Sequence, residues 1–69
     1  MISYEPLWRT MAAKNATTYT LIYKGGISSS TVRRLKAGES VSTNTLDALC
    51  KILGCGVADI IEYIETKQP

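Results

Sequence analysis

The stretch ISSSTVRRLKAG, residues 27–38, decides the fold because it carries both a start and a stop signal for a short helix. Ser28 is a good N-cap residue, since its hydroxyl can accept a hydrogen bond from a backbone N–H two or three positions later. Ile27 and Val32 have the spacing of a hydrophobic staple. Gly38 suits the left-handed conformation in which many helices end. The stretch therefore predicts one short, well-delimited helix.

This predicted helix, about residues 28–36, has two chemically different faces. At about 100° per residue, Val32 and Leu35 fall on one side of the helix. The opposite side contains no acidic residue and consists of Ser30, Arg33 and Arg34, flanked by Ser29 and Lys36. One stripe should therefore be buried, and the other should present only hydroxyl groups and cations to solvent.

A second short helix is predicted just upstream, over residues 17–24, with Thr17 as its cap and Gly25 and Gly26 after it. Its threonines fit either phosphate contacts or simple capping. Two short helices joined by a tight glycine-containing turn describe a helix-turn-helix, whose second helix enters the major groove of DNA. The alternative is a helical hairpin with a solvated cationic face. The cap, the staple, the turn and the acid-free face together favour DNA.

The bulk properties agree with a small DNA-binding domain. The chain has 69 residues, which limits it to one domain, and 45% of them are hydrophobic. Six cations and no acid lie within residues 6–36, whereas residues 37–69 carry a net charge of −3. This segregation predicts a basic face for a polyanion. No apolar run could span a bilayer and no signal peptide is evident, so we expect a cytoplasmic, nucleoid-associated protein without membrane contacts.

Three further helices complete an all-α, five-helix prediction. Residues 1–4 should be extended, with no partner that can be named, and residues 66–69 should fray. Glu5 and Pro6 open the first helix, with an apolar stripe at Leu7, Trp8, Met11 and Ala12. Ser42 caps the fourth helix, which Gly54 ends. A fifth helix is predicted over residues 57–64 because Val57, Ile60, Ile61 and Ile64 repeat at helical spacing.

Residues for catalysis or metal binding are few. The chain has no histidine, its six carboxylates are scattered, and its glycines do not form a phosphate-binding loop. Cys50 and Cys55 have four residues between them, which is not the spacing of a zinc knuckle, and both are predicted to be small core residues. We therefore expect no enzyme, metal, cofactor or small-molecule ligand.

The order of these elements resembles the Cro/repressor type (XRE-like) of DNA-binding domain, which has a lambda-repressor-like fold, over about residues 5–64. The segment LIYKGGISSSTVRRLKAGESVS, residues 21–42, is similar to the core of that family. Its matching positions are Gly26, Ile27, Ser28, Val32 and Leu35. The segment TLDALCKILGCGVADIIEYI, residues 45–64, resembles a compact branch found in phages and conjugative elements.

One pair of residues departs from the family pattern. The family often has alanine at the position of Ile22 and a bulkier residue at the position of Gly25. The two volumes are exchanged in this chain. A core tolerates an exchange that keeps the total volume better than one that does not.

The resemblance implies sequence-specific binding of double-stranded DNA and transcriptional regulation, with repression as the expected sign. The positions that match groove-facing ones are Ser29, Ser30, Arg33 and Arg34. The predicted phosphate contacts are Thr17, Thr18, Lys24, Ser28, Lys36 and Thr43. Paired half-sites need paired readers, which favours a homodimer, and the alternative is a monomer that binds with low affinity.

A protein-interaction module on the same fold, such as an antirepressor or antitoxin, is the rival interpretation. Tyrosine is enriched at interface hot spots. The candidate anchors for a protein partner are Tyr4, Tyr19, Tyr23 and Tyr63.

Overall fold

The computed structural model describes residues 1–65, and these form a mostly helical domain closed by a two-stranded sheet. The elements are β1 (Ile2–Ser3), α1 (Glu5–Ala13), a π-helix (Thr20–Lys24), α2 (Ser29–Ala37), α3 (Thr43–Leu53), a 3₁₀ turn (Val57–Asp59) and β2 (Glu62–Tyr63). No helix within residues 1–65 has the length and apolarity needed to cross a bilayer. The predicted fraying of residues 66–69 lies outside the described part.

Helix α1 begins and ends as the sequence predicts. Pro6 lies in its first turn, where the missing N–H costs nothing. Asn15, just beyond its end, has a positive φ of 55°. Leu7 and Met11 are buried, and Trp8 packs half-buried against the core. Ala12 is exposed, so the predicted apolar stripe is narrower than expected.

The second predicted helix is wound more widely than a regular α-helix. Two α-helical residues at 18–19 lead into the π-helix Thr20–Lys24. The predicted cap is confirmed, since the Thr17 hydroxyl accepts from the Thr20 N–H at 3.3 Å. The Gly25 N–H then donates to the Thr20 carbonyl, five residues back, at 3.1 Å. A π-turn accommodates one residue more than an α-turn, so the prediction of a regular helix here is wrong in its winding.

The structure explains why a small residue stands at Gly25, where the large and small residues at positions 22 and 25 are exchanged relative to the expected pattern. A Cβ atom at Gly25 would lie 2.8 Å from Cγ1 of Ile52 and 2.8 Å from the carbonyl oxygen of Leu21. Helix α3 therefore occupies the space that a side chain at this position would need. Ile22 packs half-buried against the core.

Helices α2 and α3 confirm the predicted caps. The Ser28 hydroxyl accepts from the Thr31 N–H at 3.2 Å, and the Ser42 hydroxyl accepts from the Thr45 N–H at 3.2 Å. Gly38 ends α2 in the left-handed region with φ +75°. Both helices thus have boundaries set by side chains that the sequence identifies.

The predicted fifth helix is wrong. Its segment forms the 3₁₀ turn Val57–Asp59 and then strand β2, which pairs antiparallel with β1 in the register Ile2–Tyr63 and Ser3–Glu62. The Asp59 carboxylate accepts from the Gly56 N–H at 3.1 Å and holds the single turn. β-Branched and aromatic residues follow it, and these favour a strand when a partner is available. The domain therefore has four helices in residues 1–65, counting the π-helix, rather than five.

The core lies between the helices and the 3₁₀ turn. Its buried side chains are Tyr4, Leu7, Met11, Leu21, Ile27, Val32, Leu35, Leu49, Leu53 and Ile60. Cys50 and Cys55 pack half-buried against this core, as the sequence predicts. Every helix contributes to the core, which fixes the outer face of α2 relative to the other elements.

Candidate nucleic-acid interface

The outer face of α2 carries the predicted groove-facing side chains, and all of them are exposed. These side chains are Ser29, Ser30, Arg33 and Arg34. On the opposite side, Val32 and Leu35 are 4% and 1% exposed and anchor the helix in the core. The division of the helix into a buried and a polar face follows the prediction.

The positively charged side chains on and beside this face lie outside the ion pairs found in residues 1–65. Within residues 1–65, ion pairs join Arg9 to Glu62 at 3.7 Å and Lys51 to Asp47 at 3.1 Å. Neither pair includes a residue of α2 or of the π-helix. The exposed cations of the helix-turn-helix are Lys24, Arg33, Arg34 and Lys36. Their charge is therefore not neutralised by a carboxylate in the described part of the chain.

Of the residues predicted to contact phosphate, those with hydroxyl groups lie at the starts of three helices and the two lysines lie at helix ends. Thr17 and Ser28 already cap the segments that they precede. A hydroxyl that accepts a backbone hydrogen bond keeps a proton to donate. The Ser28 oxygen also lies 2.8 Å from the Thr31 hydroxyl oxygen, where either can be the donor, so a phosphate contact by Ser28 requires Thr31 to donate in that pair. Thr43 is exposed in the first turn of α3, and Thr18 is half-buried. Lys24 and Lys36 are exposed at the ends of the π-helix and α2.

A shallow cleft of about 320 Å³ separates the start of α2 from the start of α3. Its lining residues are Gly26, Ile27, Ser28, Thr31, Asn44, Thr45 and Ala48. Ser28 is therefore joined there by Thr31 and Asn44, which the sequence analysis did not single out. Both lie within three positions of a capping serine, which is the signal that could have identified them.

The four tyrosines fall into different environments. Tyr19 and Tyr23 are 64% and 71% exposed, and their ring centroids lie 4.4 Å apart. Tyr63 is exposed on β2. Tyr4 is only 7% exposed, and its hydroxyl donates to the Glu39 carbonyl at 2.6 Å. The interpretation of Tyr4 as an interface anchor is therefore wrong, because an internal contact occupies it.

Comparison with known proteins decides the family. The sequence pattern of the Cro/C1-type HTH DNA-binding domain matches residues 6–66. The chain belongs to this family. The family is one of DNA-binding domains, which is the class of function that the sequence predicts. No curated protein matches the chain.

A solved structure agrees with this assignment. The Cro/C1-type domain is similar to the crystal structure of transcriptional regulator VanUg, Form II, with a TM-score of 0.82 and 36% sequence identity. The similarity covers 88% of this chain and 81% of that one. The shared architecture therefore extends over most of both proteins.

Proposed function

We propose that this Cro/C1-type domain binds double-stranded DNA sequence-specifically, with α2 in the major groove, and represses transcription. The observation that carries the proposal is the outer face of α2, where Arg33 and Arg34 are exposed and outside the ion pairs found in residues 1–65. Several positive charges with no acidic residue close by attract the phosphates of DNA and raise the local concentration of the duplex.

Arg33 and Arg34 are the proposed readers of base edges. A guanidinium group can donate two hydrogen bonds to the O6 and N7 acceptors of guanine, worth about 1–3 kcal/mol of discrimination. Ser29 and Ser30 lie in the first turn of α2, which approaches the bases most closely in a helix-turn-helix. Their short side chains add contacts that are less selective for one base.

The proposed phosphate contacts hold the domain in register without reading sequence. The residues assigned to this role are Thr17, Thr18, Lys24, Ser28, Lys36 and Thr43. Their support is position, since they lie at the starts and ends of the helices next to the outer face of α2. Backbone N–H groups at the start of a helix also favour an anion.

A domain bound across a promoter blocks the access of other proteins to the same bases, and repression is the proposed result. VanUg, whose structure is similar, is a transcriptional regulator, and this similarity supports a regulatory role. We propose a homodimer on paired half-sites about 34–36 Å apart. A reporter gene preceded by the selected binding site should lose expression when the domain is supplied, and increased expression would overturn the repressor role.

The test of DNA recognition compares three variants on a selected duplex and a scrambled one at several salt concentrations. Arg33→Ala should lose about 1–3 kcal/mol more on the selected duplex than on the scrambled one. Lys36→Ala should weaken both duplexes alike and reduce the slope of log affinity against log salt by about one. Lys51→Ala is the matched control, since Lys51 pairs with Asp47 on α3. Binding that neither Arg33→Ala nor Lys36→Ala alters would overturn the proposal.

The stacked and exposed pair of Tyr19 and Tyr23 favours a second candidate, a protein-interaction module. Such a module would bind another protein stoichiometrically and would show no salt-dependent affinity for DNA. A wild-type domain without salt-dependent binding of duplexes, together with a Tyr19→Ala, Tyr23→Ala double variant that loses the protein partner, would support this role.

A further inference from the structure

Cys50 and Cys55 lie at the two ends of the backbone turn that ends α3. Gly54 takes the left-handed conformation with φ +62°, and the Cys55 N–H donates to the Cys50 carbonyl, five residues back, at 3.1 Å. This is the longer hydrogen bond of a Schellman motif, in which the residues at its two ends commonly contact each other through their side chains. The motif therefore brings the backbones of Cys50 and Cys55 together and places both side chains at the end of α3.

Both thiols are reachable and chemically unoccupied. Cys50 and Cys55 are free cysteines and each is half-buried. Burial raises the pKa of the Cys55 thiol above its ordinary value of 9.0, and the neighbouring Cys50 and Asp59 raise it further, whereas Lys14 lowers it. Cys55 is thus mostly protonated at neutral pH. Its reaction as a thiolate should become faster as the pH rises.

We propose that Cys50 and Cys55 form a modification site that closes into an intramolecular disulfide by exchange with a small disulfide such as oxidised glutathione. One cysteine thiolate attacks a glutathione sulfur, forms a mixed disulfide and releases one glutathione thiolate. The second cysteine attacks the sulfur of the first and releases the other glutathione. The two protein thiols are oxidised, the glutathione disulfide is reduced, and the two thiol protons end on the two glutathione molecules.

The folded state should favour this disulfide over the unfolded state. The turn at Gly54 brings the two residues together before any bond forms, whereas an unfolded chain must lose entropy to do so. Linkage then requires that the disulfide stabilise the fold by the same factor by which folding favours the disulfide. The bond would hold the end of α3 to the segment that leads into the 3₁₀ turn Val57–Asp59. This inference does not depend on the proposed DNA binding.

The test measures the equilibrium with mixtures of reduced and oxidised glutathione, for the full chain in native buffer and in urea. Acid quenching, alkylation of free thiols and intact mass then count each species. We expect a monomer lacking two hydrogen atoms, with a native equilibrium constant about tenfold above the value in urea. The midpoint of urea unfolding should rise in the oxidised protein. The rate of closure should increase with pH.

Three variants serve as controls. Cys50→Ser and Cys55→Ser should stop at the mixed glutathione disulfide, which shows that closure needs both sulfurs. Gly54→Ala disfavours the left-handed turn and should bring the native constant towards the value in urea. A wild-type constant that does not exceed the value in urea, or products that are only intermolecular, would overturn the proposal. Both measurements use the wild type alone and remain informative if Gly54→Ala does not fold.

Discussion

The Tyr4 hydroxyl donates a 2.6 Å hydrogen bond to the backbone carbonyl of Glu39, thirty-five residues later in the chain. The Glu39 N–H in turn donates to the Arg34 carbonyl at 2.9 Å, so Glu39 belongs to the turn that ends α2. A side chain from the start of α1 therefore fixes the end of the proposed DNA-reading helix.

Tyr4→Phe should destabilise the domain by about 1 kcal/mol, because it removes this hydrogen bond and leaves the carbonyl without its donor. Urea unfolding followed by circular dichroism measures the change. Tyr63→Phe is the matched control and should have almost no effect, since Tyr63 is 71% exposed. Equal effects of the two substitutions would contradict the role assigned to the Tyr4 hydroxyl.

Gly25→Ala should cost about 1–3 kcal/mol of unfolding free energy through overpacking against Ile52 and Leu21. Adding Ile52→Val should recover part of this loss by removing a methyl group from the crowded space. Gly56→Ala is the control, because the nearest atom to its added Cβ lies at 3.9 Å. Thermal unfolding that ranks Gly25→Ala with Gly56→Ala would show that α3 can move away freely.

Ser28→Asp separates capping from DNA contact. Aspartate caps as well as serine does, so the unfolding free energy should stay within about 0.5 kcal/mol. Its negative charge next to phosphate should weaken DNA binding by at least about tenfold. Ser28→Asn keeps the cap without the charge and should preserve both properties. An aspartate variant with unchanged DNA affinity would place Ser28 away from the phosphates.

Ile60 and Ile64 distinguish the strand from the predicted helix. Helical spacing would put them on one face, but Ile60 is fully buried and Ile64 is 43% exposed. Ile60→Ala should cost about 2–5 kcal/mol, whereas Ile64→Ala should cost much less. Chemical denaturation of both variants makes the comparison, and similar losses would favour a helix over residues 57–64.

Local signals predicted the helix-turn-helix well. The helix ends are set by residues that act on backbone groups a few positions away, namely Ser28, Gly38 and Ser42. Their effect can therefore be predicted from the nearby sequence. The division of α2 into buried and exposed faces is also local, because helix geometry alone sets it. The exposure of Arg33 and Arg34 followed from the same reasoning, whereas their contacts with DNA stay a prediction.

The errors arose where distant residues decide the outcome. The spacing of Val57, Ile60, Ile61 and Ile64 fits a helix, but β1 offers a strand partner whose position the local pattern does not contain. At the end of the π-helix, Gly25 lies against Ile52 of α3, twenty-seven positions away, and the local sequence does not contain this contact. Thr31 and Asn44 lie close to capping serines in the sequence, but only the folded chain shows that their helices line one cleft.

The strand pair also has a consequence for the order in which the domain opens. Ile64 donates its N–H to the Met1 carbonyl at 2.8 Å, and the Met1 amine donates to the Ile64 carbonyl at 2.6 Å, across sixty-three residues. Strands of two residues have few hydrogen bonds to break, and Ile2, Tyr63 and Ile64 are exposed, so this strand pair can open at a low free-energy cost. Hydrogen exchange should therefore be fast at the Ile64 amide and slow at the Leu49 amide in α3. The pair of strands β1 and β2 can open and close while the helices stay packed together.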